Sequence, residues 1–106
     1  MEQIAVVTVV VDARSVADEL AAAAVTGRLA ACAQVGAALT STYRWQGRIE
    51  TAEEWPVQFK TADDRVEALV GYLRGAHPYD VPEILVSAVT SANPDYTAWV
   101  REQTRS

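Results

Sequence analysis

Residues 5–11 read Ala5-Val-Val-Thr-Val-Val-Val11, an almost unbroken β-branched run. A strand with one face in water alternates apolar and polar side chains, whereas this one offers only Thr8 to solvent. It must therefore be covered on both faces and lie in the interior of a sheet. The whole chain has 106 residues, half of them apolar. That suffices for one core and leaves no room for a second, so a single domain over residues 1–106 is expected.

Beyond this strand, helix and turn signals punctuate the chain. Asp12 offers an N-cap, and residues 13–26 are alanine-rich with Val16, Leu20 and Ala24 spaced by four. Gly27 then stands where a left-handed residue would end the helix. Residues 29–35 are small and apolar up to Gly36, and residues 39–45 are strongly strand-forming. Gln46-Gly47 is a turn, with residues 48–50 and 54–60 as the return strand, so residues 38–60 are expected to form a long hairpin. Proline cannot donate to a ladder, and Pro56 is expected to kink it.

Thr61 is read as the cap of a second helix, with Asp63 and Asp64 favouring its positive end and Val66, Leu69, Val70 and Leu73 as its apolar stripe. Gly75 ends it. Two prolines, Pro78 and Pro82, keep residues 77–83 extended and lead into a last strand over residues 84–89. Asn93-Pro94 opens a C-terminal helix with Tyr96, Trp99 and Val100 on one face.

The order β-α-β-β-α-β plus a terminal helix is the split βαβ pattern of the ferredoxin-like fold. The class is α+β, a four-stranded antiparallel sheet with both helices on one face. The other face has to meet a ligand or another subunit. Large rings at Tyr43, Trp45, Trp55 and Phe59 on the two-stranded projection make a subunit the better answer.

Composition narrows the function classes. Nine basic residues against fourteen acidic ones give a net charge of −5, which disfavours nucleic acid, because duplex affinity comes mainly from cations neutralising phosphates. The single cysteine, Cys32, has no internal partner and suits a reducing, cytoplasmic compartment. Met1-Glu2-Gln3-Ile4 shows no basic leader, and no apolar segment is long enough to span a membrane, so no targeting or anchoring is expected. No Gly-x-Ser-x-Gly motif and no phosphate-binding glycine loop is present. Glu53-Glu54 and Asp63-Asp64 read as solvated charge.

Four strings carry a resemblance: Arg28-Leu-Ala-Ala-Cys-Ala33, Tyr43-Arg-Trp-Gln-Gly-Arg-Ile-Glu50, Phe59-Lys-Thr61 and His77-Pro-Tyr-Asp-Val-Pro-Glu-Ile84. Asn93-Pro-Asp-Tyr-Thr-Ala-Trp99 supports them. Together they resemble the CutA divalent-cation tolerance family over nearly the whole chain. The resemblance implies a homotrimer, similar in architecture to PII-type proteins, with hairpins reaching across to neighbours. It also implies a binding or regulatory role in tolerance of copper and other divalent ions, and no enzymatic one. The family's metal ligands fall at Val9, Ala76 and His77, so only His77 keeps a ligating side chain.

Tyr43, Trp45, Lys60, His77, Tyr79, Glu83 and Trp99 form the set expected in a cleft between subunits. Interface packing is the commoner fate of such aromatics, and Lys60 and Glu83 could equally pair with each other or orient an anionic or zwitterionic small ligand. A divalent metal such as copper would have His77 as its ligand. Cys32, flanked by alanines, reads first as a small core residue. The alternative function is a small ferredoxin-like enzyme with His77 as acid or base and Tyr79 or Glu83 as partner.

Overall fold

The computed structural model describes residues 3–105; Met1, Glu2 and Ser106 lie outside the described residues, and with them the start of the segment in which no leader is expected. β1 (Ile4–Val11) runs between β4 (Arg48–Ala62) and β5 (Ile84–Ala88), with β2 (Cys32–Val35) on the far side of β4. All these pairings are antiparallel, in the order β2-β4-β1-β5. β3 (Leu39–Trp45) pairs only with the first half of β4. This is the ferredoxin-like arrangement expected, with one strand more than the sequence suggested.

Val7, Val9 and Val11 are fully buried, together with Val57 and Phe59 of β4. They pack against Ala17, Leu20 and Ala24 of α1 (Arg14–Thr26) and Leu69 and Leu73 of α2 (Val66–Ala76). By the period of two, Val6, Thr8 and Val10 face the other way, in line with Pro56, Gln58 and Lys60 and with Cys32 and Gln34. The cover expected for that second face is incomplete, since Val6 and Thr8 are only half-buried. Nor is that face purely apolar: Lys60 Nζ donates to Gln34 Oε1 there.

Several local expectations are corrected. Asp12 does not cap α1; the capping position is Ala13, without a side-chain bond. Gly27 is right-handed at φ −82°, and Arg28 takes the left-handed turn at φ 59°. The Leu29 and Ala30 amides then donate back to the Ala24 carbonyl at 2.9 and 3.2 Å, so the helix closes one residue late. Thr61 is the penultimate residue of β4, and its buried hydroxyl donates to the Leu29 carbonyl at 2.7 Å. A short 3-10 turn, Asp63–Arg65, precedes α2, which continues through Gly75 to Ala76. The expected second strand is two, because β2 ends at Val35, before Gly36, and β3 begins on a different partner stretch.

β4 runs as one continuous strand through Pro56, the position of the expected kink. The Pro56 carbonyl accepts from Gly36 at 2.9 Å, so its missing N–H points to the same side, where the partner changes from β3 to β2. The hairpin tip is as expected: Gln46 and Gly47 both have positive φ, 50° and 78°, the two-residue turn that matches strand twist. Two of the four projecting rings were misplaced, however. Phe59 lies in the chain's own core and Trp55 packs against it, while Tyr43 and Trp45 stay exposed.

α3 (Pro94–Gln103) is capped by Asn93, whose Oδ1 accepts from the Asp95 amide. Val100 alone of its expected apolar face is buried, against Ile4 and Ala31. Arginines fasten its C-terminal end: Arg101 donates to Asp63 at 2.9 Å, and Arg105 grips both oxygens of Asp64 at 2.8 and 2.6 Å. The Arg105 hydrogen bonds, aided by the nearby arginine charges, hold the Asp64 carboxyl at about 2, below its ordinary 3.8. A depressed folded value means the clasp is intact above the unfolded value and is lost as pH falls through about 2. Carboxyl NMR titration should place Asp64 near 2, with Arg105→Ala returning it towards its ordinary value; an ordinary midpoint in the parent chain would show that no clasp forms.

Candidate functional site

The turn at Gln46-Gly47 sets the hairpin register, Trp45 opposite Arg48, Tyr43 opposite Glu50, Ser41 opposite Ala52 and Leu39 opposite Glu54. Alternation then puts Ser41, Tyr43 and Trp45 on the same face as Ala52 and Glu54. Where the hairpin leaves the main sheet, that face continues into Val10 and Asp12. The segment 79–83 crosses beside it. Between them lies a cleft of about 650 Å³, lined by the rings of Tyr43, Trp45 and Tyr79 and by four carboxylates, Asp12, Glu54, Asp80 and Glu83. No lysine, arginine or histidine lines it among the described residues.

Glu54 forms the buried floor, at 6% exposure. Its Oε2 accepts from the Tyr79 hydroxyl at 2.7 Å. Burial, then this bond and the charge of Glu54, push the Tyr79 phenol well above its ordinary range, because phenolate beside carboxylate is doubly disfavoured. A raised folded value stabilises the chain below the unfolded value of 10.0 and ceases to do so as pH rises through the folded one. In an ultraviolet alkaline titration of the four tyrosines, Tyr79→Phe should remove a late transition. Loss of an ordinary one instead would mean the bond to Glu54 is not made.

His77 lies beneath this site, 7% exposed, with its ring edge-on to Tyr79 at 4.7 Å. Nδ1 accepts from the Tyr79 amide at 3.2 Å, so the proton sits on Nε2, which donates to the Val10 carbonyl at 2.8 Å. The reason for that second bond is in the sheet. Pro56, opposite Val10, turns its carbonyl away from β1, so the Val10 carbonyl faces the β5 side. The β5 ladder stops at Val9 with Ile84, one residue short. His77 supplies the donor that β5 does not reach.

Of the seven residues expected to gather, four line the cleft: Tyr43, Trp45, Tyr79 and Glu83. His77 supports it from below. Lys60 shares the face but lies six residues further along β4, about 20 Å at strand rise, so it neither pairs with Glu83 nor enters the cleft. Trp99 stacks on Tyr96 at 5.7 Å on α3 and is not part of the lining. Cys32 is half-buried on the open face, not in the core. Sequence reasoning missed Asp12 and Glu54, having read one as a helix cap and the other as solvated charge. The signal for Glu54 was available, since the turn register and alternation align it with Tyr43. Among the described residues, no three His, Cys, Asp or Glu side chains are grouped to hold a metal ion. No helix among them is long and apolar enough to cross a membrane.

These features define a ferredoxin-like α+β protein with a projecting hairpin and an acidic, aromatic cleft at its base. The model of the CutA1 divalent ion tolerance protein family matches residues 5–103. The chain is 38% identical over 104 residues to the divalent-cation tolerance protein CutA of Thermus thermophilus, covering 98% of this chain and 99% of that one. Protein CutA of Mus musculus is 42% identical over 91 residues, 86% of this chain and 51% of that one, so the chain spans about half the length of the mouse relative. Among solved structures, CutA1 of Ehrlichia chaffeensis superposes with a TM-score of 0.94 at 28% identity, covering 99% of this chain and 98% of that chain. The chain belongs to the CutA1 divalent ion tolerance family.

Proposed function

We propose that this protein works as a homotrimer with a binding and regulatory role in the response to divalent metal ions such as copper, recognising its ligand in clefts at the subunit seams. The observation that carries this is the uncovered hairpin. Leu39, Tyr43, Trp45 and Ile49 are 40–62% exposed on a projection whose β3 pairs with no strand other than β4 among the described residues. The radius of gyration, 14.4 Å, exceeds the roughly 13 Å of a compact domain of this length, as expected of an arm that extends the molecule to 45 Å. Apolar side chains so displayed are best satisfied by a second copy, and the half-open sheet face offers a place for one.

The role is non-catalytic on this reading. Both ring nitrogens of His77 are engaged within the fold, which leaves neither for acid/base work nor for a metal ion. Copper would therefore have to use the cleft carboxylates or Cys32 on the open face. A cytoplasmic location is proposed on the unpaired Cys32. Sedimentation equilibrium at micromolar concentration should give three times the chain mass of 11.5 kDa; a stable monomer would overturn the trimer and with it the seams.

A further inference from the structure

The cleft at the hairpin base has a composition unsuited to most ligands and well suited to one class. Its four carboxylates face no cationic side chain among the lining residues. Glu54, more than nine-tenths buried, spends one oxygen on Tyr79 and has no partner for Oε1 among the described residues. Oε1 is not among the buried atoms that lack a partner, so it opens to the cleft, where a cation or donor that enters can meet it. An anion is excluded by repulsion. A bare divalent ion is poorly served too, for among the described residues no three ligating side chains converge and the space of about 650 Å³ is the size of a small-molecule pocket.

The aromatic walls are the independent clue. Tyr43 and Trp45, two apart on one face of β3, present adjacent rings about 7 Å from each other along the strand. Such rings add nothing to a hydrated metal ion, but their negative faces attract an alkylated ammonium, which can shed water more cheaply. We propose that this cleft binds an organic ammonium cation, its alkyl groups against Tyr43 and Trp45 and its charge answered by Glu54, Asp80 and Glu83. The inference rests on the reading of the chain as a binding module and names its ligand class.

The test uses the full chain at fixed ionic strength, titrated calorimetrically with tetramethylammonium and with 1,4-diaminobutane. Uncharged tert-butanol is the size control, and Mg²⁺ and Cu²⁺ are the metal arms. Saturable binding of an ammonium ion is expected, with no saturable heat from tert-butanol. Trp45→Leu and Glu83→Gln, both at positions exposed in the chain, should each weaken it about tenfold. Saturable binding that these variants leave unchanged would overturn the assignment of the site. The absence of ammonium binding, or a metal titration that saturates and is lost in the same variants while ammonium does not bind, would overturn the ligand class. Sedimentation of the same samples separates the two proposals: a trimer that binds no ammonium sinks this inference alone, and a monomer that binds it sinks only the assembly.

Discussion

Phe59→Ala is expected to lower the free energy of unfolding by about 3–5 kcal/mol, a large share of the roughly 5–15 kcal/mol that holds a domain together. Phe59 is the largest fully buried side chain. It stands opposite Val7 on one side and Ala33 on the other, in the middle of the layer between sheet and helices. Strands fixed by ladders on both sides cannot collapse into the space left by a ring, so the lost transfer energy is joined by a cavity term. Denaturant unfolding at one protein concentration would measure it. Phe59→Leu should recover more than half of the loss. A cost below about 1 kcal/mol for the alanine variant would place the ring at a surface or a subunit contact.

His77→Ala should cost about 2–4 kcal/mol, through the unsatisfied Val10 carbonyl and the space left beside Tyr79. His77→Gln can still present an N–H towards Val10, and is expected to restore about half. This pair of variants distinguishes the ladder-completing role from chemistry. An acid or base would tolerate removal without loss of stability, and glutamine would not rescue it. If the alanine variant melts with the parent chain, the hydrogen bonds at 2.8 and 3.2 Å contribute nothing and the imidazole is free for another task. Should melting fall as expected, Tyr79 loses its backbone anchor, and its bond to Glu54 at the cleft floor should weaken with it.

Most of the fold is legible in one dimension because it rests on local rules. The β-branched run of residues 5–11 could only be an interior strand, and it is flanked on both sides. Residues 39–45 and the Gln46-Gly47 turn appear with the boundaries read from them. Asn93-Pro94 starts α3 as N-caps do. The grouping was legible in part: Tyr43, Trp45, Tyr79 and Glu83 line one cleft, though within a single chain, whereas the sequence reading places them between subunits. Their signals are those of alternation, turn chemistry and an extended proline segment, all of which act over a few residues.

What failed depended on distant partners. Pro56 reads from sequence as a kink, and only the strand pairing shows that it stands where the partner of β4 changes from β3 to β2. Phe59 and Trp55 looked like interface rings, but the register against β1 turns both towards the helices. Nor does the sequence say what the sole histidine bonds to: a ladder one residue too short makes it a backbone donor. Composition and periodicity decide which residues leave water and which face of a strand they share. Only the pairing of strands far apart in the chain decides which polar groups remain unsatisfied, because a hydrogen-bond vacancy belongs to two segments at once.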